Sequence, residues 1–325
     1  MSNKCISQRE FEHIHSLADC LVQKHLAKKM PLKGVQNNNW VFLAETETGH
    51  HDYMVKFVPS EEGERLKVEV SLNQLLDSET VLANPRIITS GEIGDKLYLI
   101  REIIPGRSMA EVLKAEDASV EQLCNQAGEC LAQIHTIKFD TKGILQSDLT
   151  VKPQEVWSLE EMKAFLPPIY EAGLISRHQM QGLLSLAVDD FYHSDEFVLC
   201  HCDYTPNNIL ARDGEVVGVI DFEWASAAPV YDDLATFDFF LRYNNREEYI
   251  ADFYQGYEQV KSVPQKYLDH QAFYRFYRLI TMLSYQLRAT DERFDGEFHQ
   301  WMRERVTYLM TDDNFASEVV PGFRW

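Results

Sequence analysis

Residues 197–224, FVLCHCDYTPNNILARDGEVVGVIDFEW, decide how the rest of the chain is read. An apolar run, Phe197–Cys200, leads into a polar loop that carries His201, Asp203 and Asn208. A short apolar piece, Ile209–Ala211, and a turn at Asp213-Gly214 follow, and a second apolar run, Val216–Ile220, ends on Asp221. Two strand-like runs joined through Asp-Gly predict a β-hairpin. Such a hairpin gathers two carboxylates and an amide at its loop end. That grouping suits metal-held phosphoryl transfer, in which one carboxylate takes the substrate hydroxyl proton while an amide and a second carboxylate hold cations that bridge the phosphates.

Working upstream, Tyr53–Val58 reads as a strand with one charged residue, Lys56, either a solvent-facing alternate position or an inward cation with a partner, and Val41–Glu45 as its partner strand across a polar turn at Thr48–His51. Before them, 31–39 reads as a turn-rich loop with a single glycine, Gly34. A loop or hairpin tip of this kind can cover nucleotide phosphates with backbone N–H groups. Glu61–Leu76 has helical periodicity, with Leu66, Glu69, Leu72 and Leu76 on one stripe. A carboxylate on an apolar stripe is costly unless paired, so Glu69 calls for a cation, and Lys56 is the candidate. Two more strands, Pro85–Glu92 and Lys96–Ile104, run into Pro105-Gly106, a break in chain direction.

Beyond that break the period becomes helical. Ser108-x-x-Glu111 and Ser119-x-x-Gln122 both predict capping boxes. Val120, Leu123, Cys124, Ala127, Leu131 and Ile134 trace one apolar face ending at His135, read as a packed or capping residue. Helices are predicted in 155–193 (two, parted near Gly173), Asp233–Arg242, Glu247–Val260 and Gln271–Ala289, and another over 8–28 near the N-terminus. Aromatic residues at helical spacing in the C-terminal part read as core.

Composition narrows the function. With 31 Lys+Arg against 51 Asp+Glu the net charge is -20, which opposes binding to nucleic acid or anionic membrane and favours cationic ligands. Six cysteines in 325 residues, none in a C-x-x-C pair, are too sparse for a disulfide scaffold. Cys200-His201-Cys202 lacks a second ligand cluster at zinc spacing. No apolar signal core or membrane-spanning run occurs, which predicts a cytoplasmic protein.

The segments AGECLAQIH (127–135), HCDYTPNNIL (201–210) and GVIDFEWASAAPVYDDLA (218–235), in this order and downstream of the strand lysine and helix glutamate, resemble the aminoglycoside phosphotransferase family of the protein-kinase-like superfamily, which also holds the choline kinases. The likeness runs from about residue 31 to about residue 240. It implies a two-lobed α+β fold: an N-terminal nucleotide-binding lobe, 1–104, with an antiparallel sheet and a helix, and a larger, mostly helical C-terminal lobe, 105–325. It implies Asp203 as catalytic base, Asn208 and Asp221 as Mg2+ ligands, and Lys56, held by Glu69, on the phosphates of ATP or GTP. Ile103 and Ile104 would line the adenine site, Gly34 belongs to the phosphate-covering loop, and His201 would brace the catalytic loop. The late proton transfer of this chemistry does not require a raised pKa at Asp203.

Three departures stand out. Cys202 occupies a position usually held by Gly, Thr205 replaces a common His, and the tandem Asp232-Asp233 leaves the register of the structural Asp open. Glu223 is open between assisting the metals and meeting a cationic substrate. The resemblance implies a small-molecule kinase with a cationic, aminoglycoside-type acceptor. Choline, ethanolamine, macrolide or other metabolite acceptors are alternatives, and a catalytically inactive nucleotide-binding relative is an alternative of a different class.

Overall fold

The computed structural model describes residues 15–21, 32–36, 39–46, 49–80, 84–115, 119–186, 196–288 and 296–321, with positions 12, 191, 193 and 194, and only the backbone over 32–52. The chain opens with a five-stranded antiparallel sheet in the order β1-β2-β3-β5-β4. Its strands are β1 (Leu32–Gln36), β2 (Asn39–Thr46), β3 (Gly49–Pro59), β4 (Ile87–Ile93) and β5 (Lys96–Glu102). Helix α1 (Gly63–Glu79) crosses one face of the sheet.

Alternation along β3 settles where Lys56 points. Tyr53, Val55 and Phe57 join Tyr98, Ile100, Ala18 and Leu21 in one cluster, on the side of the helical segment 15–21. Val58 packs with Leu66, Leu97 and Leu99 on the α1 side. Because the strand period is two, Lys56 shares the face of Val58 and is directed at α1. On the neighbouring strand Leu97, Leu99 and Arg101 share that face for the same reason.

Two expectations for this region are corrected. Residues 32–36 are not a loop: they form β1, and Gly34 lies within it, opposite Val41 and beside a bulge in the β1–β2 register. Of the turn expected at Thr48–His51, position 48 lies outside the described residues, and His50 and His51 belong to β3, because the two strands stay paired to Thr46 and Gly49. The Phe11 and Ile14 positions of the predicted N-terminal helix also lie outside the described residues.

The remainder is the larger, mostly helical lobe. It begins with β6 (Arg107–Ser108), α2 (Met109–Lys114), α3 (Val120–Ile134) and the short strands β7 (Lys138–Phe139), β8 (Gly143–Leu145) and β9 (Val151–Pro153). Next come α4 (Leu159–Glu171), α5 (Arg177–Ser185), β10 (Phe197–Cys200), β11 (Ile209–Arg212), β12 (Glu215–Val219) and β13 (Ser226–Ala228). Five helices close the lobe: α6 (Tyr231–Tyr243), α7 (Ile250–Glu258), α8 (Gln265–Arg288), α9 (Glu297–Leu309) and α10 (Asp312–Glu318). Five of these strands form a sheet ordered β7-β10-β13-β8-β9. The predicted hairpin is present as β11–β12, with Asp213 and Gly214 both at positive φ (54° and 82°), the twist that a two-residue connection between antiparallel strands demands. β6 extends this ribbon on its other edge. Gly106 is needed there, since a Cβ would stand 2.9 Å from the Ala211 carbonyl oxygen.

Ser108 caps α2 with a reciprocal Glu111 bond, as the capping box predicts. At α3, by contrast, Ser119 makes no side-chain cap, and Gln122 donates to Glu215 of β12. The helix is held instead by tertiary contact: Gly128 and Gly256 let α3 and α7 approach until their backbones touch. Three tyrosines of α8 are core, as expected: Tyr267 and Tyr274 are buried and stacked on Tyr231, and buried Tyr277 packs against Trp157, whereas Tyr285 of the same helix is exposed. Among the described residues no helix is long and apolar enough to cross a membrane.

Candidate active site

The loop between β10 and β11 carries the centre of the site. It turns sharply because Cys202 adopts φ +62°, the left-handed conformation that glycine tolerates and other residues enter at about 1–2 kcal/mol. Cys202 thus holds a backbone conformation that glycine enters without that cost. Asp233 on α6 holds this turn: its Oδ2 accepts from the His201 N–H at 2.7 Å and its Oδ1 from the Cys202 N–H at 2.8 Å. This selects Asp233 over Asp232 as the loop-bracing carboxylate, a register that sequence left open.

His135 is more than a packed residue. Its Nε2 lies 3.1 Å from Asp233 Oδ2 and its Nδ1 2.9 Å from the Tyr257 hydroxyl, all buried. Burial lowers the His135 pKa, so the ring donates to Asp233 as a neutral imidazole. Burial is the largest single influence and works against ionised Asp233, but His135 and His201 together, the latter also through its N–H, outweigh it and hold the carboxyl below its ordinary range. His201 bonds the Ile220 carbonyl through Nε2 at 2.9 Å and meets the Asp203 N–H through Nδ1 at 3.3 Å, tying the loop to the strand end before Asp221.

Asp203 follows Cys202. The Asn208 amide nitrogen donates both to its carboxylate and to its backbone carbonyl, each at 2.9 Å, which leaves the Asn208 carbonyl oxygen as the atom able to meet a cation. Burial raises the Asp203 pKa, with His201 and Arg278 offsetting part of the effect. Mechanism alone did not require this shift; desolvation in the closed loop supplies it.

Lys56 occupies the second half of the site. Its Nζ lies 2.9 Å from Glu69 Oε2, 2.9 Å from Glu223 Oε2 and 3.2 Å from Asp221 Oδ1. Glu69 also pairs with Arg101 at 3.2 Å. Burial alone would lower the Lys56 pKa, yet Glu69, Asp221 and Glu223 outweigh it and raise it. Burial likewise works against ionised Asp221, but Lys56 and Arg101 keep it below the usual carboxylate range. Asp221 itself sits at φ +71°, turning its side chain back toward Lys56 just after β12 ends.

The structure therefore gathers Lys56, Glu69 and Asp221 by direct contact, and Asp203 and Asn208 by direct contact, with His201 joining the two sets through Ile220. Ile103 and Ile104 lie half-buried in the segment between β5 and β6. Gly34 lies in β1 and forms none of these contacts. Arg101 and Glu223 complete the charge set. Arg101 was legible from strand alternation, two positions beyond Leu99, and the carboxylate partner of Lys56 at Glu223 from its place two residues after Asp221.

Glu69, Asp221 and Glu223 bring carboxylate oxygens within 4.8 Å of one another. These three carboxylates converge on the Lys56 ammonium, and Asn208 and Asp221 offer oxygen donors only, the chemistry that fits Mg2+ rather than a thiophilic metal. The thiols serve elsewhere: Cys200 bonds the Ala228 and Pro229 carbonyls, Cys202 approaches Ser226 Oγ at 3.0 Å, and burial raises both pKa values.

A family model described as the phosphotransferase enzyme family matches residues 31–274. Solved structures are similar over most of the chain at low identity. Aminoglycoside phosphotransferase APH(4)-Ia matches with a TM-score of 0.63 and 15% identity, over 91% of this chain and 98% of that one. Spectinomycin phosphotransferase APH(9)-Ia, in complex with ADP and spectinomycin, matches with a TM-score of 0.60 and 16% identity, over 91% and 98%. Macrolide 2'-phosphotransferase MphH from Brachybacterium faecium matches with a TM-score of 0.56 and 17% identity, over 89% and 98%. No curated protein sequence matches the chain.

Proposed function

The chain belongs to the phosphotransferase enzyme family, and on that premise we propose that it is a small-molecule kinase moving the γ-phosphate of ATP or GTP to a hydroxyl of a cationic acceptor. The observation that carries this reading is the Asp203–Asn208 pair seated beside the Lys56 cluster, a proton acceptor next to phosphate-binding charge. Asp203 is assigned to orient the acceptor hydroxyl and take its proton, and the raised pKa brings its basicity closer to neutral pH. Lys56 is assigned to the nucleotide phosphates, with Glu69 and Arg101 fixing its position. Asn208 and Asp221 would hold Mg2+, which when bound neutralises charge on the phosphates. Glu223, bonded to Lys56, keeps that ammonium in place until phosphates compete for it.

The net charge of -20 supports a cationic acceptor.

The test is acceptor-dependent ADP release with Mg2+ and ATP or GTP, across aminoglycosides, spectinomycin, choline, ethanolamine, macrolides, amino acids and sugars. Release that depends on one acceptor class, and is lost in folded Asp203→Ala and Asp221→Ala, is the expected result. Undiminished activity in either variant would refute the role given to that residue. Nucleotide binding without turnover on any acceptor would favour an inactive nucleotide-binding protein.

A further inference from the structure

One charged side chain outside the set above reaches the catalytic loop, and it comes from near the far end of the chain. Arg278 on α8 donates from Nη2 to the Cys202 carbonyl at 2.9 Å. Its Nη1 lies 3.3 Å from Asp232 Oδ1, which accepts no hydrogen bond among the described residues, so this pairing is coulombic. The carbonyl that Arg278 holds belongs to the peptide leading directly into Asp203.

Cys202 is in the left-handed region, so this peptide returns to an ordinary conformation unless it is held from outside. Asp233 holds the N–H groups of His201 and Cys202. Arg278 holds the carbonyl. The two adjacent carboxylates of α6 therefore divide the work: Asp233 grips the loop itself, and Asp232 anchors the guanidinium that grips it from the other side. The next residue back on α8, Tyr277, ties the helix down at this point: its hydroxyl donates to Glu161 at 2.6 Å and its ring packs 4.3 Å from Trp157.

We propose that Arg278 is a positioning residue for phosphoryl transfer: by fixing the Cys202 carbonyl it sets where the Asp203 carboxylate stands, with Asp232 as its counter-ion. This rests on the reading of Asp203 as the group that orients the acceptor hydroxyl. A planar guanidinium meets a carboxylate and a carbonyl at once, which an ammonium cannot do with the same geometry.

The experiment compares the parent chain with Arg278→Gln, Arg278→Lys, Asp232→Asn and Asp203→Ala. The acceptor is the panel compound giving the fastest ADP release, or water if acceptor-independent ATP hydrolysis is the faster reaction. Arg278→Gln is expected to lower kcat by about 10- to 100-fold, the scale of a 1 Å misplacement of a reacting group, while KM for ATP and for the acceptor stays within about twofold. Arg278→Lys is expected to recover part of kcat, which a role limited to fold stability would not produce. A kcat within about twofold of the parent in folded Arg278→Gln overturns the proposal, and so does a raised acceptor KM at constant kcat, because Arg278 would then be binding the acceptor. If Arg278→Gln does not fold, Asp232→Asn carries the test, with lower kcat at constant KM expected and unchanged kcat overturning. A parent chain that releases no ADP, or an Asp203→Ala variant as active as the parent, refutes the phosphotransfer reading first and removes this proposal with it.

Discussion

Replacing Asp233 with Asn tests the brace on which the catalytic loop depends. The wild-type carboxylate is fully buried and accepts from two backbone N–H groups at 2.7 and 2.8 Å and from His135 at 3.1 Å. Hydrogen bonds to a buried charge contribute about 1.5–3 kcal/mol each, and an orphaned buried donor costs about 1–3 kcal/mol. Asparagine keeps one oxygen and the same shape, so no cavity forms. One of the loop N–H groups then faces an amide NH2, which gives an expected loss of about 3–5 kcal/mol, a large share of the 5–15 kcal/mol that holds a typical domain. The sign of the pH dependence follows from the depressed pKa. Stability from ionised Asp233 is present above the unfolded value of about 3.9 and is lost as pH falls through the folded value. The gap between parent and variant, measured by denaturant unfolding, is therefore expected to be full at pH 7 and to shrink below about pH 4. Cys202 would relax out of its left-handed conformation and displace Asp203, so kcat is expected to fall by about 100-fold in the folded fraction. A variant within about 1 kcal/mol of the parent and within about twofold in kcat would refute this account.

Asp203→Asn should abolish turnover yet unfold at the same temperature as the parent or higher near neutral pH. Its raised pKa means the fold disfavours the ionised form, a penalty the amide removes, and a clear drop in Tm would contradict it. Lys56→Met leaves Glu69, Asp221 and Glu223 without their shared cation. Loss of about 3 kcal/mol in denaturant unfolding is expected, with a raised KM for ATP, whereas unchanged nucleotide KM and kcat would remove Lys56 from the site. Gly128→Ala drives a Cβ into the Phe253 carbonyl and Tyr257 nitrogen of α7, backbone atoms that cannot rotate away. Destabilisation of at least about 1–3 kcal/mol is expected by thermal or chemical unfolding, and a neutral effect would show that the helices separate easily.

Much of the active site is legible from local chemistry alone. The Asp213-Gly214 turn needs only two residues at positive φ, so the hairpin that ends in Asp221 is encoded within a dozen positions. A helical stripe marks Glu69 as a carboxylate in need of a cation and nominates Lys56, because an unpaired buried charge is too costly to leave, while alternation alone leaves open whether Lys56 faces solvent or its partner. Other features were beyond any local signal. Gly34 reads as a loop residue by composition, but pairing with β2 places it in a strand. Ser119 has the letters of a capping box, but Gln122 is drawn across to Glu215. Tandem aspartates look alike in sequence; only the packing of α6 against the loop and of α8 against α6 gives Asp233 the backbone N–H groups and Asp232 the guanidinium of Arg278. The sequence by itself determined the chemistry-bearing residue types and the local elements that present them, since these rest on periodicity, turn geometry and the cost of lone charges. Which carboxylate braces the loop, that burial raises Asp203, and that Arg278 reaches Cys202 across 76 positions were decided by tertiary packing, because desolvation and long-range contacts exist only once distant segments meet.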